Sequence, residues 1–324
     1  MVTHYALALP KQARGGMIRS IRSLLLLVGI MMVTGLTGCV EAPHSTTDLS
    51  GHIQIVGSTA LQPLANAAAT LFQKQHPQTS IEVQGGGSLA GLQAVTAHKA
   101  NIGNSDVYAD PAIYPDPNLT DHIVCVIPFA MVVGPGISIT SLTQQQIIDI
   151  FSTGKIHNWQ QIGGPDLPIV PVVRPPTSGT RDTFRKYILG GRDEKGTLLK
   201  TDSSATVLDV VARTPGAIGY LALSVLTPKV HALAISGVMP TLDNITTGRY
   251  LFWGYEHMYS LDDNNATISA FLDFMLTPEV QQQAQQMGYI PIARMRLAAL
   301  SRTYTTASTL PIAYENEVIH HESL

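Results

Sequence analysis

The polar and apolar positions of this chain switch repeatedly between a period of two and a period near 3.6. His52 to Val56 alternates as a half-buried strand does. Gly57-Ser58-Thr59-Ala60 then turns into a helix that carries Pro63 in its first turn, where proline is tolerated. Leu64, Ala68, Leu71 and Phe72 share one face of that helix, and His76-Pro77 ends it. The plan repeats at once. Ile81 to Gln84 is strand-like, Gly85-Gly86-Gly87-Ser88 turns, and Leu89, Leu92 and Val95 mark the next helix. Asn101 to Asp106 follows as a strand end opening into a loop.

The run His122 to Val133 is long for one strand and is broken only by Pro128, so it predicts a crossing from one lobe to another. A helix over Thr143–Phe151 comes next, with Ile147, Ile148 and Phe151 on one side. Strand-like Pro168 to Val173 enters Arg174-Pro-Pro-Thr-Ser-Gly-Thr-Arg181, and a helical run from Asp182 leaves it. A helix starting near Ser203-Ser204 turns Val207, Leu208 and Val211 inward and stops at Pro215-Gly216. Ala217 to Leu221 and Val230 to Ile235 are again strand-like, and Tyr250 to Tyr255 is the candidate return crossing. Helices over Thr267–Leu276 and Pro278–Met287 close the pattern, with Gly288 as the stop. Strands alternating with helices predict an α/β architecture with mainly parallel sheets.

The first 38 residues have another character. Lys11, Arg14, Arg19 and Arg22 precede an apolar run, Leu24 to Val33, and small residues follow up to Leu36-Thr37-Gly38-Cys39. Basic, apolar, then small is the order of an export signal, and Met17 would serve as its start as well as Met1. Residues 40–50 read as a solvated tether, and periodicity fades again past Arg296, leaving a surface tail.

Charge narrows the partners. The leader holds four of the twenty Lys and Arg and none of the twenty-three Asp and Glu, so sixteen cations face twenty-three anions in the rest. That acidic balance excludes nucleic acid as a partner, which needs a basic face. An anionic ligand must therefore be drawn by local donors. Cys39 and Cys125 are the two cysteines, too few for a disulfide-built scaffold, and Cys125 lies in an apolar run that predicts burial. Apart from His320-His321 in the tail the histidines are scattered singly, so spacing offers no metal site, and no cofactor is implied. No Gly-x-Ser-x-Gly elbow, His-Glu-x-x-His or Walker loop occurs, which leaves catalytic readings without a motif.

Three strand–turn–helix junctions share one chemistry: Gly57-Ser58-Thr59, Gly87-Ser88 and Ser178-Gly179-Thr180. Each sets hydroxyls and unpaired backbone N–H groups at a helix start, either as an ordinary cap or as part of an oxyanion seat. Arg174 adds a formal charge to the third. Asp106 is either a loop residue capping its own backbone or a source of discrimination, because an ionised carboxylate accepts hydrogen bonds and donates none. Beside an oxyanion that keeps a proton, such as phosphate, it gains a bond. Beside sulfate it meets only like charge. Arg181 is left open as a ligand, surface or interdomain residue.

With these residues in view, the chain resembles the PstS-type phosphate-binding lipoproteins of bacterial phosphate ABC transporters, over about Ile53 to Ile292. The resemblance rests on Val56-Gly-Ser-Thr-Ala-Leu-Gln-Pro-Leu64, Val83-Gln-Gly-Gly-Gly-Ser88, Ile102-Gly-Asn-Ser-Asp106 and Ser178-Gly-Thr-Arg-Asp-Thr-Phe184, extended by Pro215 to Leu221, Tyr255-Glu-His-Met-Tyr259 and Gly288 to Ile292. It implies a two-lobed periplasmic-binding-protein fold of type II with a two-strand hinge. Residues 51–127 with 254–296 would form one lobe, and 128–253 the other. It implies that Thr59 and Ala60, Ser88, Asp106 as proton acceptor, Arg174 steadied by a carboxylate, and Ser178, Gly179 and Thr180 hold inorganic phosphate. It further implies lipidation at Cys39 after cleavage of residues 1–38, anchorage to the membrane outside the cytoplasm, and a monomer that serves permease subunits and catalyses nothing. A receptor for another oxyanion, or a phosphomonoesterase, are the alternatives. Leu89-Ala90 and Thr177 depart from the family's usual residues in two of the binding turns.

Overall fold

A computed structural model describes residues 49–199, 202–261 and 265–295. The leader, Cys39, the tether up to residue 48 and the tail from residue 296 lie outside the described residues.

The alternating pattern gives β1 (Gly51–Gly57), whose Ile53 and Ile55 point into the core. After it, α1 (Gln62–Gln75) buries Leu64, Ala65, Ala68, Ala69 and Phe72, with its proline in the first turn as expected. Full burial of a Leu or Phe side chain stabilises by about 1.5–3 kcal/mol, so this stripe fixes the helix on the sheet. Then come β2 (Thr79–Gly85), α2 (Ser88–Thr96) and the short, fully buried β3 (Ile102–Ser105). β1 runs parallel between β2 and β3.

The long run predicted as a crossing is one strand, β4 (Leu119–Val133). Beyond it lie β5 (Ser141–Leu142) and α3 (Gln144–Ile148), which widens into a π-helical turn over Asp149–Thr153. β6 (Val170–Val173), α4 (Gly179–Tyr187), β7 (Thr197–Leu198), α5 (Ser204–Arg213), β8 (Ala217–Ala222), β9 (His231–Ile235) and α6 (Leu242–Thr246) follow. The chain returns through β10 (Trp253–Leu261) and closes with α7 (Ala266–Met275) and α8 (Pro278–Gln286).

The strands lie in the order β2-β1-β3-β10-β4-β8-β6-β7, with β9 on β4 and β5 on β9. The sheet is mixed. β1 with its neighbours, and β6 with its neighbours, pair in parallel as the strand–helix alternation requires. The centre is antiparallel, because β10 re-enters the first half from the far end and lies between β3 and β4.

β4 changes partners at a proline. From Leu119 to Pro128 it pairs with β10, and from Phe129 to Val133 with β8 and β9. Pro128 has no N–H to give to a ladder, which suits the point of exchange. The return strand passes beside it. Phe129 N donates to Phe252 O at 3.0 Å, and Tyr250 Oη to Phe129 O at 2.8 Å. Phe252 packs on Phe184 of α4, which stacks on Tyr220 of β8 at 4.3 Å. Two strand crossings and one aromatic run therefore join the halves directly behind the stretch Arg174 to Arg181. Cys125 is buried in β4 as a free thiol.

Candidate functional site

The ends of β1, β3 and β6 converge on one buried cluster. At the end of β1, Ser58 Oγ accepts from Ala60 N at 3.0 Å and Leu61 N at 3.1 Å, and donates to Asp106 Oδ1. This serine staples the turn that the sequence assigns to Thr59 and Ala60. The Ala60 N–H, expected to face a ligand, is spent on Ser58 here. Thr59 keeps its hydroxyl for the other half of the molecule: Arg174 Nη2 donates to Thr59 Oγ1 at 3.1 Å.

Gly87 stands before α2 at φ +96°, a conformation open to glycine and strained for other residues. Its positive φ swings Ser88 under Asp106, and Asp106 N donates to Ser88 Oγ at 2.9 Å. Space also demands that glycine. A side chain at position 87 would begin 2.5 Å from Thr177 O and 2.9 Å from Asp202 Oδ2. Leu89 N donates to the same Thr177 O at 3.2 Å, so the two departures from the family pattern meet across the halves.

Arg174 directly follows β6 and is wholly buried. Its Nε donates to Asp202 Oδ1 at 2.7 Å and its Nη1 to Ser204 Oγ at 3.0 Å, and Nη2 lies on Asp202 as well as on Thr59. Asp202 is thus the steadying carboxylate. Four residues on, Ser178 Oγ caps α4 through Arg181 N at 3.2 Å. Gly179 then lies so close to the first half that a methyl in its place would fall 2.2 Å from Ser88 Oγ. Thr180 Oγ1 completes the contact by donating to Asp106 Oδ2 at 2.7 Å.

Asp106 is 5 % exposed and accepts hydroxyls from both halves. Burial raises its pKa above the usual carboxylate value, and Asp202 adds to this. The Ser58 and Thr180 hydroxyls and the Arg174 guanidinium act in the opposite sense.

All eight residues picked from the sequence lie in this one cluster. Arg181 does not join it; its Nε pairs with Glu194 Oε2 at 2.8 Å. Burial lifts the Glu194 carboxyl to about 7. Four residues went unread. Ser58 belongs to a junction that was recognised, but its neighbour was preferred. Asp202 and Ser204 flank a helix start whose cap signal hid their second role. Glu256 sits inside the strand Tyr255 to Tyr259, and a carboxyl in an otherwise unbroken buried run was the available signal.

Chemically, the cluster offers one guanidinium paired with the Asp202 carboxylate, hydroxyls on both sides, the N-termini of α2 and α4, and the Asp106 carboxylate, all shielded from water. Such a set suits a small oxyanion that can give one hydrogen bond and accept many. Among the described residues no group of three or more His, Cys, Asp and Glu is placed to hold a metal ion. A cavity of about 290 Å³ beside the crossing strands, lined by Pro128, Pro240, Ile245, Tyr289, Pro291 and Arg294 among others, contains none of the eight.

A family model described as the PBP superfamily domain matches residues 42–279. The phosphate-binding protein PstS of Bacillus subtilis is 41 % identical over 285 residues, which cover 85 % of this chain and 94 % of that protein. Among solved structures, a Clostridium perfringens phosphate ABC transporter substrate-binding protein with bound phosphate superposes with a TM-score of 0.70 at 28 % identity, covering 75 % of this chain and all of that one. An ABC-type phosphate transport receptor from Vibrio cholerae follows at 0.61 and 27 %, covering 74 % and 99 %. The superfamily match spans well over half the chain, and the resemblance to PstS runs nearly end to end, so this chain belongs to the PBP superfamily and, within it, to the PstS phosphate-binding proteins of phosphate ABC transporters.

Proposed function

We propose that this chain binds inorganic phosphate outside the cytoplasm, between the lobe of residues 51–127 with 254–296 and the lobe of residues 128–253, and delivers it to an ABC permease. Cys39 would carry the lipid that anchors it to the membrane, and the chain would act as a monomer. The observation that carries the reading is the meeting of Arg174 with Thr59, and of Asp106 with Thr180, in one buried cluster.

In this reading the anion enters an open cleft and settles among the groups that otherwise bond each other. Thr180 and Thr59 turn their hydroxyls from Asp106 and Arg174 to phosphate oxygens. Ser88 donates from the first lobe, and Ser178 with the backbone of Gly179 and Thr180 from the second. Arg174, held by Asp202, supplies charge without searching for its position, which lowers the entropic cost of binding. Asp106 accepts the proton that phosphate retains near neutral pH. Sulfate and molybdate bring no such proton, so the same carboxylate repels them. Hydroxyl and backbone donors do the holding, and no activated nucleophile is required, so binding rather than phosphomonoester hydrolysis fits the cluster.

Calorimetric titration of the purified protein tests the reading. One phosphate per chain should bind at micromolar concentration or below, with sulfate producing no competing heat. Silence towards phosphate at those concentrations would count decisively against it.

A further inference from the structure

Behind Asp106 stands a second carboxyl. β3 pairs with β10 so that Ser105 faces His257 and Asn104 faces Met258. One more step along that antiparallel ladder sets Asp106 opposite Glu256, with the two side chains on one face. The Glu256 carboxyl does lie against Asp106 and the Ser58 hydroxyl. It is wholly buried, and neither of its oxygens has a well-formed hydrogen bond. The neighbouring Gly254 keeps this contact close, because a side chain there would begin 3.2 Å from Asp106 O.

Among the described residues, the groups that act on Glu256 include no cation. Asp106 and Ser58 face it from the turns after β3 and β1, Cys125 faces it from β4, and Tyr289 from the segment after α8. Asp106, by contrast, accepts the Ser58 and Thr180 hydroxyls, both of which favour its charged form. Asp202 and, more weakly, Arg174 act on it in opposite senses, and Asp182 is a further like charge. Two carboxyls sharing a dry site do not both ionise. Asp106 holds the two donated hydroxyls that stabilise a charge, so the proton belongs on Glu256, where burial together with Asp106 holds it well above the usual carboxylate range. A neutral acid in such a place is a hydrogen-bond donor.

We propose that Glu256 is a positioning residue for anion choice: it backs Asp106 from inside the sheet and donates to it, holding Asp106 as an ionised acceptor for a protonated anion. This rests on the reading of Asp106 as the acceptor of the phosphate proton. Burial by itself pushes Asp106 towards its protonated form. Protonated, it becomes a donor that sulfate can use, and the selection fails. Ser58 already donates to Asp106, and in this proposal Glu256 adds a second donor once Thr180 has turned to the ligand.

Phosphate and sulfate titrations of the parent, Glu256→Gln, Glu256→Ala and Asp106→Asn between about pH 5 and 8 test the proposal. Glu256→Gln keeps a neutral donor of the same shape and should retain the parent's selectivity and pH profile. Glu256→Ala removes the donor, so sulfate binding should appear at least about one pH unit higher than in the parent, and the phosphate preference near pH 6 should fall about tenfold. A parent-like pH profile in Glu256→Ala, or equal loss of selectivity in Glu256→Gln, would overturn it. Should the alanine variant not fold, the infrared carbonyl band of a protonated carboxyl decides. It should be present in the parent at neutral pH and missing from Glu256→Gln, and identical spectra would overturn the proposal. Asp106→Asn separates the two levels. If it still rejects sulfate, the reading of Asp106 itself fails; if it accepts sulfate while Glu256→Ala does not, only the role of Glu256 fails.

Discussion

Thr180 donates to Asp106 across 74 residues of sequence, and that one bond joins the helix start after β6 to the strand end of β3. The carboxylate that would choose the ligand and the hydroxyl that would help hold it are thus already neighbours. Under the proposed function, the choice of anion and the closing of the cleft would be one event.

Asp106→Asn should therefore bind sulfate where the parent does not. An amide can donate to an unprotonated oxyanion and removes the like charge. Competition calorimetry should show phosphate-over-sulfate preference reduced at least about tenfold, a change worth about 1.4 kcal/mol.

Gly179→Ala should weaken phosphate binding by about tenfold or more while lowering the melting temperature of the ligand-free protein little. The position opens α4, where alanine is at least as good a helix former as glycine. The atoms nearest the added methyl belong to Ser88 and Asp106, which in the proposed reading lie on the other lobe. Equal affinity in parent and variant would show that the turn never closes on those residues.

Asp202→Ala leaves Arg174 buried without its carboxylate. Loss of one partner of a buried ion pair costs about 3–5 kcal/mol, so thermal unfolding should begin well below that of the parent. Saturating phosphate should raise the melting temperature of this variant more than it raises that of the parent, because the anion then supplies the missing charge.

Glu194 predicts a pH dependence of stability. Its folded value of about 7 lies above the ordinary 4.5, so between those values the folded state holds a proton that the unfolded state has lost. Stability conferred by this group is complete below about pH 4.5, falls as pH rises, and is gone above about 7. The fall amounts to at most about 3 kcal/mol. Melting curves across that range should slope downward in the parent and flatten in Glu194→Gln.

What the sequence disclosed, and what it hid, follows from the range of the forces involved. Periodicity and caps are local, so β1, α1, β2, α2 and the turn at Ser178 could be read one residue at a time. Chemistry made Asp106 a candidate, and only the fold brings it to Ser58 and Thr180. Asp202 could not be read, because it lies 28 residues from Arg174 in a stretch without period, and a salt bridge leaves no pattern between its partners. The antiparallel centre of the sheet was hidden for the same reason, since only the return of β10 beside β3 creates it. Ser58 and Thr59 are adjacent hydroxyls in one turn, and only the fold decides that Ser58 turns to Asp106 and Thr59 to Arg174. Glu256 was visible as a charge in a buried run, but its neighbour across the sheet was not.

The central claim is that one phosphate sits between Asp106 and Arg174. A crystal structure of the protein grown with phosphate tests it most directly. Density for a tetrahedral anion should touch Asp106, Arg174, Ser88 and the Ser178-Gly179-Thr180 turn, with Asp106 at hydrogen-bonding distance from one oxygen. An anion bound elsewhere, or an Asp106 still joined to Thr180 with phosphate at saturation, would contradict it.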